Sequence, residues 1–179
     1  MRSSVYLFGE LDDADVDWFV SVGVRRVLQP GTTLLTEGTP ASDLFIVLDG
    51  TLAATAGSSE HELARLVRGD VAGEISFVDG RPPSATVRAV DQAVVLALPR
   101  GVLTDRLTRD GRFAARFYKT LATLLAERLR VSNRRAADGT LQLDEDTFDV
   151  DEVAPDTLDA LFLAGRRFER LLRQVAIPS

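Results

Sequence analysis

"GEISFVDGRPPSATVRA", residues 73–89, is the stretch of sequence that decides the fold. It joins a glycine and a carboxylate to a short helical segment, then a turn with two prolines, then a strand of alternating character. If a helix begins after Gly73, the backbone N–H groups of its first turn have no partner within the helix. Those donors, together with the helix dipole, stabilise a negatively charged group. The stretch therefore predicts a turn that holds an anion beside a strand.

The predicted donors come from both sides of this turn. On the helical side they are the backbone N–H groups of Glu74, Ile75 and Ser76. On the strand side they are the Ser84 hydroxyl and the Ala85 N–H. Glu74 is unusual there, because a carboxylate beside an anion is repulsive unless it accepts a hydrogen bond. In the alternative interpretation, Glu74 only caps the turn and pairs with a nearby arginine.

The residues around this turn predict a fold that is mainly β. Short apolar runs between residues 24 and 98 are separated by clusters of Gly, Pro, Asp and Ser, which is typical of a sandwich or barrel of many short strands. A short helix is predicted before residue 24, and a second short helix follows Pro99. Helical periodicity then continues through residues 111–138. We therefore expect a rolled sheet with flanking helices.

Residues 111–138 predict one long amphipathic helix. Its apolar residues recur mostly at spacings of three and four, which indicates one narrow stripe. The stripe consists of Phe113, Phe117, Leu121, Leu124, Leu125 and Leu129. It could pack on its own barrel or pair with the same helix of a second chain. Because the helix is longer than a small barrel, we expect a homodimer.

Composition restricts the possible functions. The 21 basic residues against 27 acidic ones give a net charge of −6, which argues against a surface built for a polyanion. With no cysteine and a single histidine, His61, most metal and nucleophilic enzyme sites cannot be assembled. No run of about 18 apolar residues occurs. We therefore expect a cytoplasmic protein with no catalytic residue, metal, cofactor or membrane segment.

The glycine spacing and the carboxylate together resemble the cyclic nucleotide-binding domain family. The resemblance is carried by "QPGTTLLTEGTPASDLFIVLDGTL" (residues 29–52), by "LVRGDVAGEISFVDGRPPSATVRA" (residues 66–89) and by the short and long helices that follow. It covers about residues 8–135 and implies a cupin-like β-roll, or jelly roll, of eight strands with a phosphate-binding cassette between two of them. It also implies cyclic AMP or cyclic GMP as ligand. In that case Glu74 binds a ribose 2′-hydroxyl, and Ser132 and Asn133 of the long helix meet the base.

The chain departs from this family at Pro83, where an arginine usually pairs with the cyclic phosphate. A charge-assisted hydrogen bond contributes about 1.5 to 3 kcal/mol, so its loss predicts roughly 10- to 100-fold weaker phosphate binding. Arg81 stands two residues upstream and could turn inward to replace it. Arg88 lies further along the strand, where it could line the barrel or pair with Glu74.

Three segments are expected along the chain. Residues 1–110 form the β-roll with its N-terminal helix, residues 111–138 the dimerisation helix, and residues 139–179 an acidic linker with a C-terminal amphipathic helix. Residues 136–165 carry nine acidic side chains and no Lys or Arg, and show no basic recognition helix, so specific DNA binding is not expected. The apolar face of the last helix must be buried somewhere.

Two functions fit these observations. In the first, the chain is a dimeric, non-enzymatic regulatory module that senses a cyclic nucleotide or a similar small anion. In the second, it is a relative that binds no nucleotide and serves as a dimeric scaffold, with the acidic tail and the last helix docking a protein partner. Whether a nucleotide enters the cassette separates the two.

Overall fold

The computed structural model of the protein describes residues 8–57, 61–138 and 155–176, and its elements confirm a mainly β fold with flanking helices. The helices are α1 (Asp13–Val22), α2 (Glu74–Asp79), α3 (Arg100–Arg109), α4 (Gly111–Asp138) and α5 (Pro155–Ala176). The strands are β1 (Val24–Leu28), β2 (Thr33–Leu35), β3 (Asp43–Asp49), β4 (Leu52–Ala56), β5 (His61–Leu66), β6 (Val71–Ala72), β7 (Thr86–Ala89) and β8 (Ala93–Pro99).

The strands form two four-stranded antiparallel sheets, ordered β1-β8-β3-β6 and β2-β7-β4-β5. Strand β3 shows how the first sheet is buried on both faces. Phe45 and Val47 point into the core between the sheets. Leu44, Ile46 and Leu48 point to the opposite side, where the helices cover them. Because side chains alternate along a strand, the sheet is a layer between the second sheet and the helices.

The long helix α4 carries two apolar faces, where the sequence predicted a single stripe. The first four residues of that stripe, Phe113, Phe117, Leu121 and Leu124, are buried against this chain's own sheet and helices. Leu129 is 60% exposed and lies on another face. Spacings of three and four occur on any side of a helix with 3.6 residues per turn, so periodicity alone does not separate two adjacent faces.

Helix α1 is held against the corner between α3 and α4 by a buried carboxylate. Asp15 is fully buried and accepts hydrogen bonds from Arg106 of α3 at 2.6 Å and from Arg116 of α4 at 2.8 and 2.9 Å. The Arg106 guanidinium also lies over the Trp18 ring, 4.5 Å from its centroid. Since Asp110, which caps α4, is the single residue between α3 and α4, these contacts fix the corner from both sides.

The last helix, α5, packs against α1, and this contact buries part of its apolar face. Ala164, Phe168 and Leu171 lie in the same core cluster as the α1 residues. Arg170 donates two hydrogen bonds to Asp17 of α1, and these bonds lower the pKa of the Asp17 carboxyl below its usual value. The acidic linker, residues 139–154, lies outside the described residues. Among the helices that the structure describes, none has both the length and the apolar character needed to cross a bilayer.

The substitution Asp15→Ala tests whether this corner stabilises the fold. Removing the carboxylate takes the only buried anion from two partly buried guanidinium groups and leaves Arg116 with the half-exposed Asp12 and Arg106 with Asp110 at 3.8 Å. We therefore expect the free energy of unfolding to fall by about 3 kcal/mol. Urea denaturation followed by circular dichroism measures it. The exposed Asp105→Ala on α3 is the matched control and should change stability by less than about 0.5 kcal/mol. Equal effects of the two substitutions would show that Asp15 has no special role.

Candidate functional site

The cassette, residues 73–85, begins with a glycine whose backbone no other residue adopts easily. Gly73 has φ 88° and ψ 5°, in the left-handed region, and is the N-cap of α2. A Cβ at this position would meet the Asp43 carbonyl oxygen at 3.4 Å and the Leu35 side chain at 3.6 Å, which is ordinary contact. The backbone torsion, not lack of space, therefore requires glycine. No side chain caps α2, so the N–H groups of its first turn remain available.

The C-terminal end of α2 is fixed by side chains. The Ser76 hydroxyl donates a hydrogen bond to the Arg81 carbonyl at 2.6 Å, which closes the turn after the helix. Arg100, the first residue of α3, donates to the Ser76 carbonyl at 2.9 Å, and its guanidinium lies 5.3 Å from the centroid of the Phe77 ring. A cation at this end matches the helix dipole. Sequence reasoning missed Arg100, because nothing local distinguishes it from other helix-starting arginines.

The strand side of the cassette is held by β2 and the turn after it. The Gly38 N–H donates to the carbonyl of Pro83 at 2.9 Å, and Pro83 itself is buried. Leu35, whose side chain lies 3.6 Å from where a Cβ on Gly73 would be, is paired in register with Val87 of β7. Strand β2 thus brings the start of α2 close to the strand that follows the prolines. Ser84 is exposed at this edge, and Ala85 is partly buried.

Glu74 is the most enclosed charged group of the cassette, only 2% exposed. Its Oε1 accepts a hydrogen bond from Arg128 of the long helix, whose second nitrogen donates to the Val71 carbonyl at 2.7 Å. The buried carboxylate therefore has a cation, as a charge in a low-dielectric environment requires. This is the arginine partner of the alternative interpretation. Sequence reasoning missed Arg128, although it follows Leu124 at helical spacing on the face of α4 that packs inward.

The other predicted residues lie around this pair. Arg81 is exposed, and its backbone N–H donates to Asp79 at 2.9 Å. Arg88 is also exposed and donates to the Thr33 hydroxyl at 3.3 Å.

The two residues predicted to meet a base are on the long helix. Ser132 and Asn133 are both exposed on α4. Ser132 lies one turn beyond Arg128 on the same side of the helix, while Asn133 is turned further away. Among the described residues, no group of three or more His, Asp or Glu side chains could hold a metal ion. The cassette thus offers backbone donors, hydroxyls and one neutralised carboxylate.

The substitution Arg128→Met tests the link between the cassette and α4. It leaves the Glu74 carboxylate buried without a cation, so we expect a loss of about 2 to 3 kcal/mol, since Arg128 is partly exposed. Chemical denaturation measures the loss, and the double variant Glu74→Gln/Arg128→Met should recover part of it. The neighbouring Arg130→Met, which removes only a surface pair with Glu127, is the matched control. If Arg128→Met and Arg130→Met lower the free energy of unfolding equally, the buried pair of Glu74 and Arg128 is absent.

Comparison with known proteins shows which family the chain resembles. Residues 25–110 match the family model described as the cyclic nucleotide-binding domain. The Cyclic AMP receptor protein of Thermus thermophilus is 32% identical over 127 residues, which is 69% of this chain and 57% of that protein. An uncharacterised NTE family protein of Mycobacterium tuberculosis is 26% identical over 124 residues, which is 69% of this chain. The chain spans only 21% of the length of that mycobacterial protein.

A solved structure has the same fold. A cyclic nucleotide-binding domain from Methylobacillus flagellatus superposes with a TM-score of 0.67 and 26% sequence identity, covering 75% of this chain and 78% of that one. The β-roll with its flanking helices is therefore a fold that this chain shares with that domain.

Proposed function

Because residues 25–110 belong to the cyclic nucleotide-binding domain family, we propose that the chain is a non-enzymatic regulatory module that binds cyclic AMP or cyclic GMP in its cassette. The observation that carries the proposal is the enclosed carboxylate of Glu74, held by Arg128 next to the unpaired first turn of α2. A carboxylate in this place is unfavourable for a plain anion site. It is favourable for a ligand that presents a hydroxyl beside a phosphate, which a cyclic nucleotide does.

Each part of such a ligand has a candidate partner in the cassette. The phosphate meets the N–H groups of Glu74, Ile75 and Ser76, with the Ser84 hydroxyl and the Ala85 N–H on the strand side. Arg128 engages Oε1 of Glu74, so Oε2 is left to accept the ribose hydroxyl. The base extends toward α4, where Ser132 lies one turn beyond Arg128. The Ser76 side chain takes no part, because its hydroxyl closes the turn after α2.

The affinity for phosphate is expected to be low, since no cation lies at the position of Pro83. Arg81 is exposed, and Arg128 already pairs with Glu74. The Pro83 carbonyl accepts its hydrogen bond from Gly38, and this bond survives a change of side chain. The substitution of arginine at residue 83 should therefore leave the backbone conformation of the cassette unchanged.

Calorimetric titration with cyclic AMP and cyclic GMP tests the proposed ligand. We expect Pro83→Arg to tighten binding by roughly 10- to 100-fold relative to the unaltered chain, because it restores a bidentate contact with the phosphate. The exposed Pro82→Arg is the matched control, since it adds the same charge one residue away. Glu74→Ala should weaken binding by removing the hydroxyl acceptor.

If neither the unaltered chain nor Pro83→Arg gives a heat of binding at millimolar nucleotide, the sensing role is contradicted and the scaffold function remains. Equal tightening by the two arginine variants would show a general charge effect and not a built phosphate site.

The module acts as a homodimer through the outward face of α4. This face carries apolar residues at alternating spacings of three and four, which is the pattern of a two-stranded coiled coil. It consists of Ala115, Tyr118, Ala122, Leu125 and Leu129, of which Tyr118 is 48% exposed. Ser132 continues the same spacing, so dimerisation would bring the base end of the ligand close to the second chain. The cytoplasmic location inferred from the composition stays a prediction.

The substitution Leu129→Glu tests this interface. A charge in the seam of two helices should convert the dimer into a monomer, since the facing copy carries the same charge. Sedimentation equilibrium gives the mass directly. Val102→Glu is the matched control, because Val102 is a similarly exposed apolar residue on α3 outside the seam. A monomeric unaltered chain, or a dimer unaffected by Leu129→Glu, would contradict the dimer.

A further inference from the structure

Helix α5 has one face in the core and another that faces outward. On the inner face, Ala164, Phe168 and Leu171 are buried, so the helix is a fixed part of the fold. Phe162 is 67% exposed, more than any other large apolar side chain among the described residues. The outer face of α5 is formed by four exposed residues, Phe162, Arg166, Glu169 and Arg173.

An open groove of about 820 Å³ runs along the outer face of α5. All four residues of this face line the groove, together with Leu163 and Gly165 of the same helix. Leu163 is 44% exposed, and a Cβ at Gly165 would meet no other atom within 4 Å. Because Gly165 has no side chain, a second helix can approach α5 closely at this point.

The charges of the outer face of α5 are only partly satisfied within the chain. Arg166 and Arg173 form no ion pair with another described residue, whereas the other two arginines of α5 pair with carboxylates of α1. Glu169 contacts Arg68 through one oxygen at 2.7 Å, and both side chains are about half exposed. Such a pair contributes little to stability, so Glu169 is able to accept a further cation. An exposed aromatic ring beside arginines is typical of a contact surface.

The spacing along this face is that of two antiparallel helices in contact. Positions 162, 166, 169 and 173 are separated by four, three and four residues, which is the repeat of a two-stranded coiled coil. Suppose that a second copy of α5 runs in the opposite direction, with a two-fold axis midway between residues 167 and 168. Residue 166 then lies level with residue 169 of the other copy, and residue 162 lies level with residue 173, because both pairs share that midpoint.

In this arrangement the outer face of α5 is complementary to itself. Arg166 faces Glu169 of the second copy, and the symmetry repeats this ion pair in the other direction. The Arg173 guanidinium meets the Phe162 ring at both ends, which is a favourable cation–π contact. A parallel pair in register would instead place each of the three charged residues opposite an identical charge. The charge pattern therefore favours the antiparallel pair.

We propose that the outer face of α5 is an interface between two copies of this chain, with the two α5 helices antiparallel about a two-fold axis. This interface is separate from the outward face of α4, and it does not rest on nucleotide binding. Contact from residue 162 to residue 173 extends over about 17 Å at 1.5 Å per residue, which is short for a stable dimer. The pair is therefore weak and forms in concentrated protein. Chains with two different two-fold interfaces assemble into closed tetramers or open arrays.

Sedimentation equilibrium of the Leu129→Glu chain tests this interface without the contact between α4 helices. We expect monomers at about 10 µM and reversible dimers toward about 1 mM. Arg166→Glu in this background places a carboxylate opposite Glu169 in both ion pairs, so association should weaken by at least about 10-fold. Arg109→Glu is the matched control, because it makes the same change of charge at an exposed residue of α3.

A mixture of two variants separates specific pairing from a general effect of charge. Arg166→Glu and Glu169→Arg each place like charges opposite each other in their own pairs. When the two variants are mixed, opposite charges meet in both ion pairs, so the mixture should associate within about 3-fold of the Leu129→Glu chain. The double variant Arg166→Glu/Glu169→Arg should recover association by itself for the same reason. Circular dichroism checks that each variant is folded.

Three outcomes would overturn the α5 interface. The first is a Leu129→Glu chain that stays monomeric at about 1 mM. The second is equal weakening by Arg166→Glu and Arg109→Glu, since the effect would then come from net charge. The third is a mixture of Arg166→Glu and Glu169→Arg that associates no better than either variant alone.

Discussion

A charge enclosed by protein must have a counter-charge within reach, and this constraint places the long helix. Among the residues that the structure describes, the carboxylates of Asp15 in α1 and Glu74 in the cassette are almost completely buried. Helix α4 supplies an arginine to each of them, Arg116 and Arg128. The two arginines are separated by about 18 Å along the helix at 1.5 Å per residue. Helix α4 is therefore held by two buried ion pairs. Movement of the helix at either pair would expose a buried charge to solvent or leave it without its counter-ion.

This arrangement makes the cassette and the helices one mechanical unit. A ligand that hydrogen-bonds Glu74 competes with, or adds to, the contact from Arg128, and either outcome alters the forces on α4. A ligand shifts such an equilibrium only by its difference in affinity for the two positions. The buried pair of Glu74 and Arg128 provides such a difference in affinity. A displacement of α4 would break this pair, and a ligand hydroxyl bound to Glu74 would replace part of the lost interaction. Binding chemistry and helix position thus depend on the same carboxylate.

The sequence predicted the β-roll, the start of α2 at Gly73 and the order of the helices, since these depend on local features such as period, turn residues and helix caps. It did not predict the partners of Asp15 and Glu74. Local pattern specifies which side of a helix faces inward, whereas Arg106, Arg116 and Arg128 reach residues far away in sequence through long flexible side chains. The single stripe predicted on α4 was wrong for a related reason, because apolar residues on two adjacent faces produce one merged periodicity.

The pairing of Glu74 with Arg128 also determines what the missing arginine at Pro83 means. Because the pair is neutral, the cassette presents a phosphate with backbone dipoles and hydroxyls but no net positive charge. The backbone N–H dipoles are already oriented, so no free energy is spent on reorienting them when an anion binds at short range. Because a dipole's field falls off quickly with distance, they attract a distant anion only weakly. Association with such a site should depend weakly on ionic strength, unlike a site that carries an unpaired guanidinium. If the proposed function holds, an enclosed carboxylate beside neutral donors would favour a ligand that presents a hydroxyl next to its phosphate over inorganic phosphate, which lacks the rest of the nucleotide.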